Sequence, residues 1–142
     1  MKKIILMVVS AMISTLTFSQ KLQVKNVPSS VKATFQKQYP NAKEVKWEQE
    51  ERKFEASFNI NKIANSVLFD SNGNILETEV EIGVDHLPKN ILEYVNAKYK
   101  GKKIKEAAMI TDDKGAVKYE TEINGFDLLF DAAGKFIKAE KD

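Results

Sequence analysis

The sequence predicts an α+β fold of two tandem repeats, each one helix followed by about four antiparallel strands, with the helix packed on one sheet face. Two observations predict it. Landmarks recur in the same order about 60 positions apart: Val27-Pro28 and Leu87-Pro88, Leu68-Phe69-Asp70 and Leu129-Phe130-Asp131, Gly73 and Gly134. Inside each copy, a stripe of apolar residues at helical spacing precedes segments that alternate with a period of two.

The chain begins with Lys2 and Lys3, an apolar run from Ile4 to Phe18, and a polar start at Ser19-Gln20. This order is that of a secretory leader, predicted over 1–19 with cleavage before Gln20. The run is shorter than the roughly 20 residues a spanning helix needs, so no membrane span is expected after cleavage. Without cysteine there is no lipid anchor through a thioether and no disulfide. Removing 1–19 takes away two of the 22 basic residues and none of the 20 acids, leaving 20 of each. A neutral mature chain gives no electrostatic case for nucleic acid. The predicted partition is therefore a leader over 1–19, a short segment over 20–26, a first repeat over 27–84 and a second over 85–142.

Each repeat opens with its helix. Val31, Phe35 and Tyr39 in the first, and Ile91, Val95 and Tyr99 in the second, fall four apart and line one helical face. Pro28 and Pro88 suit the first turn, where an amide hydrogen would be unpaired anyway. Pro40 closes the first helix and Gly101 the second. Strands follow. One forms around Val45 and Trp47. Phe54, Ala56, Phe58 and Ile60 alternate with polar neighbours, which marks a half-buried strand. Asn61-Lys62 turns the chain into Ile63–Phe69, and Ser71-Asn72-Gly73-Asn74 reads as a hairpin with a type I′ turn. In the strand from Ile75 to Ile82, Leu76, Thr78, Val80 and Ile82 share one face, and Glu77, Glu79 and Glu81 the other. The second copy has turns at Asp112–Gly115, Asn124-Gly125 and Ala132–Gly134. Alternation places Phe54, Phe58, Phe69, Tyr119, Phe126 and Phe130 in the core. Gly83–His86 joins the repeats, and the sheet face away from each helix is left for solvent or a partner.

The Val27-Pro28 opening, Phe35, Tyr39-Pro40-Asn41-Ala42, Val45-Lys46-Trp47, the Phe54–Phe58 strand, and Phe69-Asp70 with Asn72-Gly73 resemble the PepSY-like family, described as "putative" β-lactamase-inhibitor-like proteins. The likeness covers nearly the whole mature chain. The second copy departs from it, with Lys100-Gly101 in place of Pro40-Asn41 and Glu106 near the place of Trp47. The resemblance implies small exported proteins with tandem α+β repeats, similar in shape to a secreted β-lactamase inhibitor. It supplies no catalytic residues, and shape alone does not set function.

No constellation for a reaction emerges from the residues. His86 is the only histidine and there is no cysteine, which leaves no zinc cluster. No serine sits in a G-x-S-x-G context, and no phosphate-cradling glycine loop is present. Asp70–Asn74 has glycine fourth rather than sixth, so it reads as a turn and not a calcium loop. No cofactor, metal or catalytic residue is predicted. The basic run Lys98, Lys100, Lys102, Lys103 and Lys105 reads as a solvated loop with nearby acids to balance it. Two features are open to a partner. Trp47 can be core or a binding anchor. The row Glu77, Glu79 and Glu81 can be a solvated face or can meet a basic partner.

The sequence thus points to a non-enzymatic binding or inhibitor-like module, periplasmic or secreted, that docks a protein or peptide of the cell envelope through its sheet faces. The alternative is a self-associating structural component of the envelope. Either a monomer or a homodimer is compatible with the residues.

Overall fold

The computed structural model describes residues 19–141. The predicted leader lies outside the described residues except for Ser19, whose hydroxyl donates to Glu48 at 2.8 Å. The described elements are β1 (Gln20–Leu22), α1 (Ser29–Gln38), β2 (Lys43–Glu50), β3 (Lys53–Ile60), β4 (Ile63–Phe69), β5 (Ile75–Ile82), α2 (Lys89–Lys98), β6 (Glu106–Asp112), β7 (Val117–Ile123), β8 (Phe126–Asp131) and β9 (Phe136–Lys141). A 3-10 turn precedes each helix, at Val24–Asn26 and Val84–His86.

The chain divides into two compact units between Thr78 and Glu79, inside β5. In the first unit each strand pairs antiparallel with its chain neighbour, β1 with β2, β2 with β3 and β3 with β4. The second unit repeats the meander through β6, β7, β8 and β9. The first half of β5 closes the first repeat as β9 closes the second. The second half of β5 leads into α2 as β1 leads into α1. Each helix is therefore followed by four strands, as predicted, and α1 is also preceded by β1, which the sequence did not reveal.

Both helices start directly after a proline and stop at a tyrosine. Pro28 and Pro88 are the capping residues, and the Tyr39 and Tyr99 amides still donate to Phe35 and Val95. The second helix thus ends before Gly101, which supplies a left-handed residue in the following turn (φ 75°). Burial along 31–40 and 91–100 follows the same residue-by-residue pattern. Each helix packs on one sheet face, as its apolar stripe requires. In the first core Val31 and Phe35 meet Trp47, Phe54, Ala56, Phe58, Val67 and Phe69. In the second, Ile91 and Val95 meet Ala107, Ile123, Leu128 and Phe130.

Strand register fixes the repeat correspondence. Trp47 pairs with Ala56, and Ala107 with Thr121. Phe54 pairs with Phe69, and Tyr119 with Phe130. The offsets are 107 − 47 = 60, 119 − 54 = 65 and 130 − 69 = 61, so the first hairpin of the second repeat is longer and its next hairpin shorter. Ala107, rather than Glu106, occupies the place of Trp47.

Three turns share one device. The Oδ1 of Asp70, Asp112 and Asp131 accepts the amides two and four residues on, at 2.8–2.9 Å. Glycine follows each aspartate by three, with φ of 85°, 81° and 78°. Asn72 does not take a positive φ, so the turn at 71–74 is not the predicted type I′. The aspartate captures the amides of a type I turn, and glycine then supplies the left-handed bulge residue. Asn61-Lys62 and Asn124-Gly125, with positive φ at both positions, do have I′ character.

Candidate functional site

The register separates two faces of each meander. In the first repeat Trp47, Ala56 and Val67 form a rung toward α1, while Glu48, Glu55 and Leu68 form the neighbouring rung on the opposite face. In the second repeat Ala108, Glu120, Leu129 and Lys138 make the equivalent rung away from α2. Beside it lies a rung of four acids across four strands, Glu106, Glu122, Asp127 and Glu140. Lys105 Nζ sits 2.6 Å from Glu122, and Lys138 Nζ 2.5 Å from Glu140.

This face is not the wholly open surface that the sequence suggested. Leu68, Ala108, Glu120 and Leu129 are all buried. On this side Lys21 and Lys46 of the first unit and Glu140 of the second are exposed. Glu55 is buried enough to matter electrostatically. Loss of water, reinforced by the charges of Glu48 and Glu50, pushes its carboxyl up from 4.5 to about 8, and the nearby hydroxyls of Ser57 and Ser66 offset part of the rise.

Of the predicted site residues, Trp47 takes the packing role. It is 6% exposed, edge-on to Phe35 at 5.2 Å between ring centroids, and 6.2 Å from Phe69. Its indole presents no free face to a partner. Val45 does not accompany it inward, because a register shift between Lys43 and Lys46 breaks the alternation and leaves Val45 exposed. Glu77, Glu79 and Glu81 do not form one solvated row. Glu81 is exposed, Glu77 half-buried and Glu79 2% exposed. Phe126, expected in the core, is 40% exposed, since it follows the Asn124-Gly125 turn and pairs with terminal Lys141.

His86 is exposed, 3.6 Å from Asp85. The Asp70 carboxylate is spent on its own turn, and hydrogen bonds from Asn74 and the turn amides hold it below the usual range. Among the described residues no group of three or more His, Cys, Asp or Glu could hold a metal ion. Among them, too, no helix is long and apolar enough to cross a membrane.

The PepSY-like model, described as "putative beta-lactamase-inhibitor-like", matches residues 15–77 and again 52–138. The chain belongs to this PepSY-like family. Three solved structures share the fold. A "putative" periplasmic protein of Bacteroides eggerthii has TM-score 0.72 at 16% identity, covering 81% of this chain and 88% of that one. A DUF2874 family protein of Bacteroides uniformis has TM-score 0.69 at 23% identity, covering 80% and 88%. A BLIP-like protein of Bacteroides fragilis has TM-score 0.62 at 24% identity, covering 80% and 86%. No curated protein matches the sequence.

Proposed function

We propose that this PepSY-like protein is an exported binding module that docks a protein or peptide carrying basic side chains, through the sheet face turned away from the helices. The observation that carries the reading is the rung Glu106, Glu122, Asp127 and Glu140, one carboxylate from each of four adjacent strands. Such a row gives orientation and association rate to a complementary surface. Export is supported by the basic-apolar start of the chain and by the periplasmic description of its structural neighbour. The sheet ends favour a face over strand addition. β1 has three residues, and β9 carries a register shift and two lysines, devices that blunt an edge.

The test is a crosslinking pull-down from cell envelope and culture medium with the chain from Gln20 as bait, beside an Asp127→Lys/Glu140→Lys variant with an unchanged melting temperature. Recovery of one protein by the wild type and its loss with the variant supports the reading. Equal recovery by both baits refutes the acidic rung. Recovery of the bait alone favours self-association, the second reading, which sedimentation would then measure.

A further inference from the structure

A cleft of ≈ 310 Å3 opens in the second repeat between α2 and the segment joining it to β6. Its floor is apolar: Val84 from the 3-10 turn, Leu92 and Val95 from α2, and Ile104 before β6. Lys102 and Lys103 line it as well. Both are exposed, and among the described residues neither forms an ion pair. The size is at the lower end of the range for small-molecule sites, which are likewise mostly apolar with a few polar groups.

The first repeat differs at two of the positions that line the cleft, as the sequence shows. With the offset of 60 that holds through α1 and β2, Lys32 stands where the second repeat has Leu92, and Glu44 where it has Ile104. Glu44 is engaged by the side-chain amide of Asn59. Two charged residues of one copy are thus apolar in the other, while the helix keeps its pattern of burial. Leu92 and Ile104 pack on the edge of the core that Ile91 and Val95 fill, and each keeps part of its surface open to the cleft.

We propose that this cleft binds a small amphipathic anion, an apolar chain or ring bearing one carboxylate, with its apolar part on Leu92 and Ile104 and its charge at Lys102 and Lys103. The carbonyl end of α2 bears a partial negative charge that opposes an anion. The run Lys98, Lys100, Lys102, Lys103 and Lys105 outweighs it, although Lys105 is shared with Glu122 and Lys98 lies over the Tyr94 ring. The site is separate from the sheet face and stands or falls independently of partner docking there.

Octanoate and its neutral counterpart 1-octanol are the probes, titrated into the chain from Gln20 and followed by amide chemical shifts. Leu92→Lys installs the residue that the first repeat already tolerates, and Lys102→Ala/Lys103→Ala removes both charges from an exposed segment. Circular dichroism and melting temperature establish that each variant is folded. Octanoate is expected to shift amides around Leu92 and Ile104. Leu92→Lys abolishes those shifts, and the double alanine variant weakens octanoate roughly tenfold while leaving octanol unchanged. The Asp127→Lys/Glu140→Lys variant binds octanoate like the wild type. Shifts that are absent from the cleft, that persist in Leu92→Lys, or that octanol produces as strongly as octanoate would overturn the proposal.

Discussion

Glu55 stands directly across the β3–β4 ladder from Leu68, a residue 5% exposed, on the face away from α1. The second repeat has the same arrangement, with Glu120 opposite Leu129. An acid is thus built beside a buried leucine at equivalent places in both copies.

Stability falls as pH rises because of Glu55. Its folded value of about 8 lies above the ordinary 4.5, so between those limits the folded chain holds a proton that the unfolded chain releases. The group contributes fully below about pH 4.5, loses its contribution up to about 8, and is flat beyond. Glu55→Gln removes this part of the slope and stabilises the protein at pH 8 by on the order of 1–3 kcal/mol relative to wild type. Urea midpoints of both proteins at pH 5 and pH 8 measure it, and parallel slopes would rule it out.

Asp70 behaves oppositely. Its carboxyl is held low by Asn74 and the turn amides, so its contribution is present above the ordinary value of 3.8 and disappears as the pH falls through the folded value. Asp70→Ala lowers the urea midpoint at pH 7, and the gap to wild type narrows in strong acid. A gap that stays constant with pH would show that the carboxylate does not act as an ion in the turn.

Trp47→Ala leaves a cavity beneath α1. Removing a buried large aromatic costs about 3–5 kcal/mol, and Trp47→Phe costs less. Chemical denaturation followed by circular dichroism gives both values. A loss below about 1 kcal/mol for alanine would contradict the packing seen against Phe35 and Phe69.

Gly73→Ala and Gly115→Ala separate backbone strain from close approach. Both glycines have φ above 80°, a conformation that costs an L residue roughly 1–2 kcal/mol. A Cβ on Gly115 meets nothing within 4 Å, whereas on Gly73 it comes within 2.7 Å of the Ser30 carbonyl oxygen in α1. Gly73→Ala is therefore the more destabilising, by about another 1 kcal/mol or more. Equal melting temperatures would mean that the turn moves freely away from the helix.

The helices, the paired cores and the repeat were legible because apolar residues recur at i and i+4 in α1 and α2 and at i and i+2 in β3. β1 was not, since Gln20–Leu22 is too short to show a period. The burial of Glu79 was missed because alternation describes one strand's own faces and not what lies over them. Val45 was misplaced by the register shift beside it, which leaves no mark in residue type. The turn at 71–74 was misread because Asn-Gly dominates the pattern, while the deciding group is the carboxylate of Asp70, one residue before it. The cleft at Leu92 appears only when the two copies are compared position by position, after register has fixed which positions correspond.

Antiparallel pairings join β1 through β4 in the first unit, and β6 through β9 in the second, each strand to its neighbour in the chain. Contacts of that kind close short loops, and chains dominated by them cross a lower entropic barrier than those that must first bring distant segments together. A hairpin such as β3–β4, turned by Asn61 and Lys62 alone, can zip within microseconds and offer its apolar side to α1, which only β2 separates from it in sequence. The doubled architecture therefore has the speed of a small local motif while reaching the length of a larger domain.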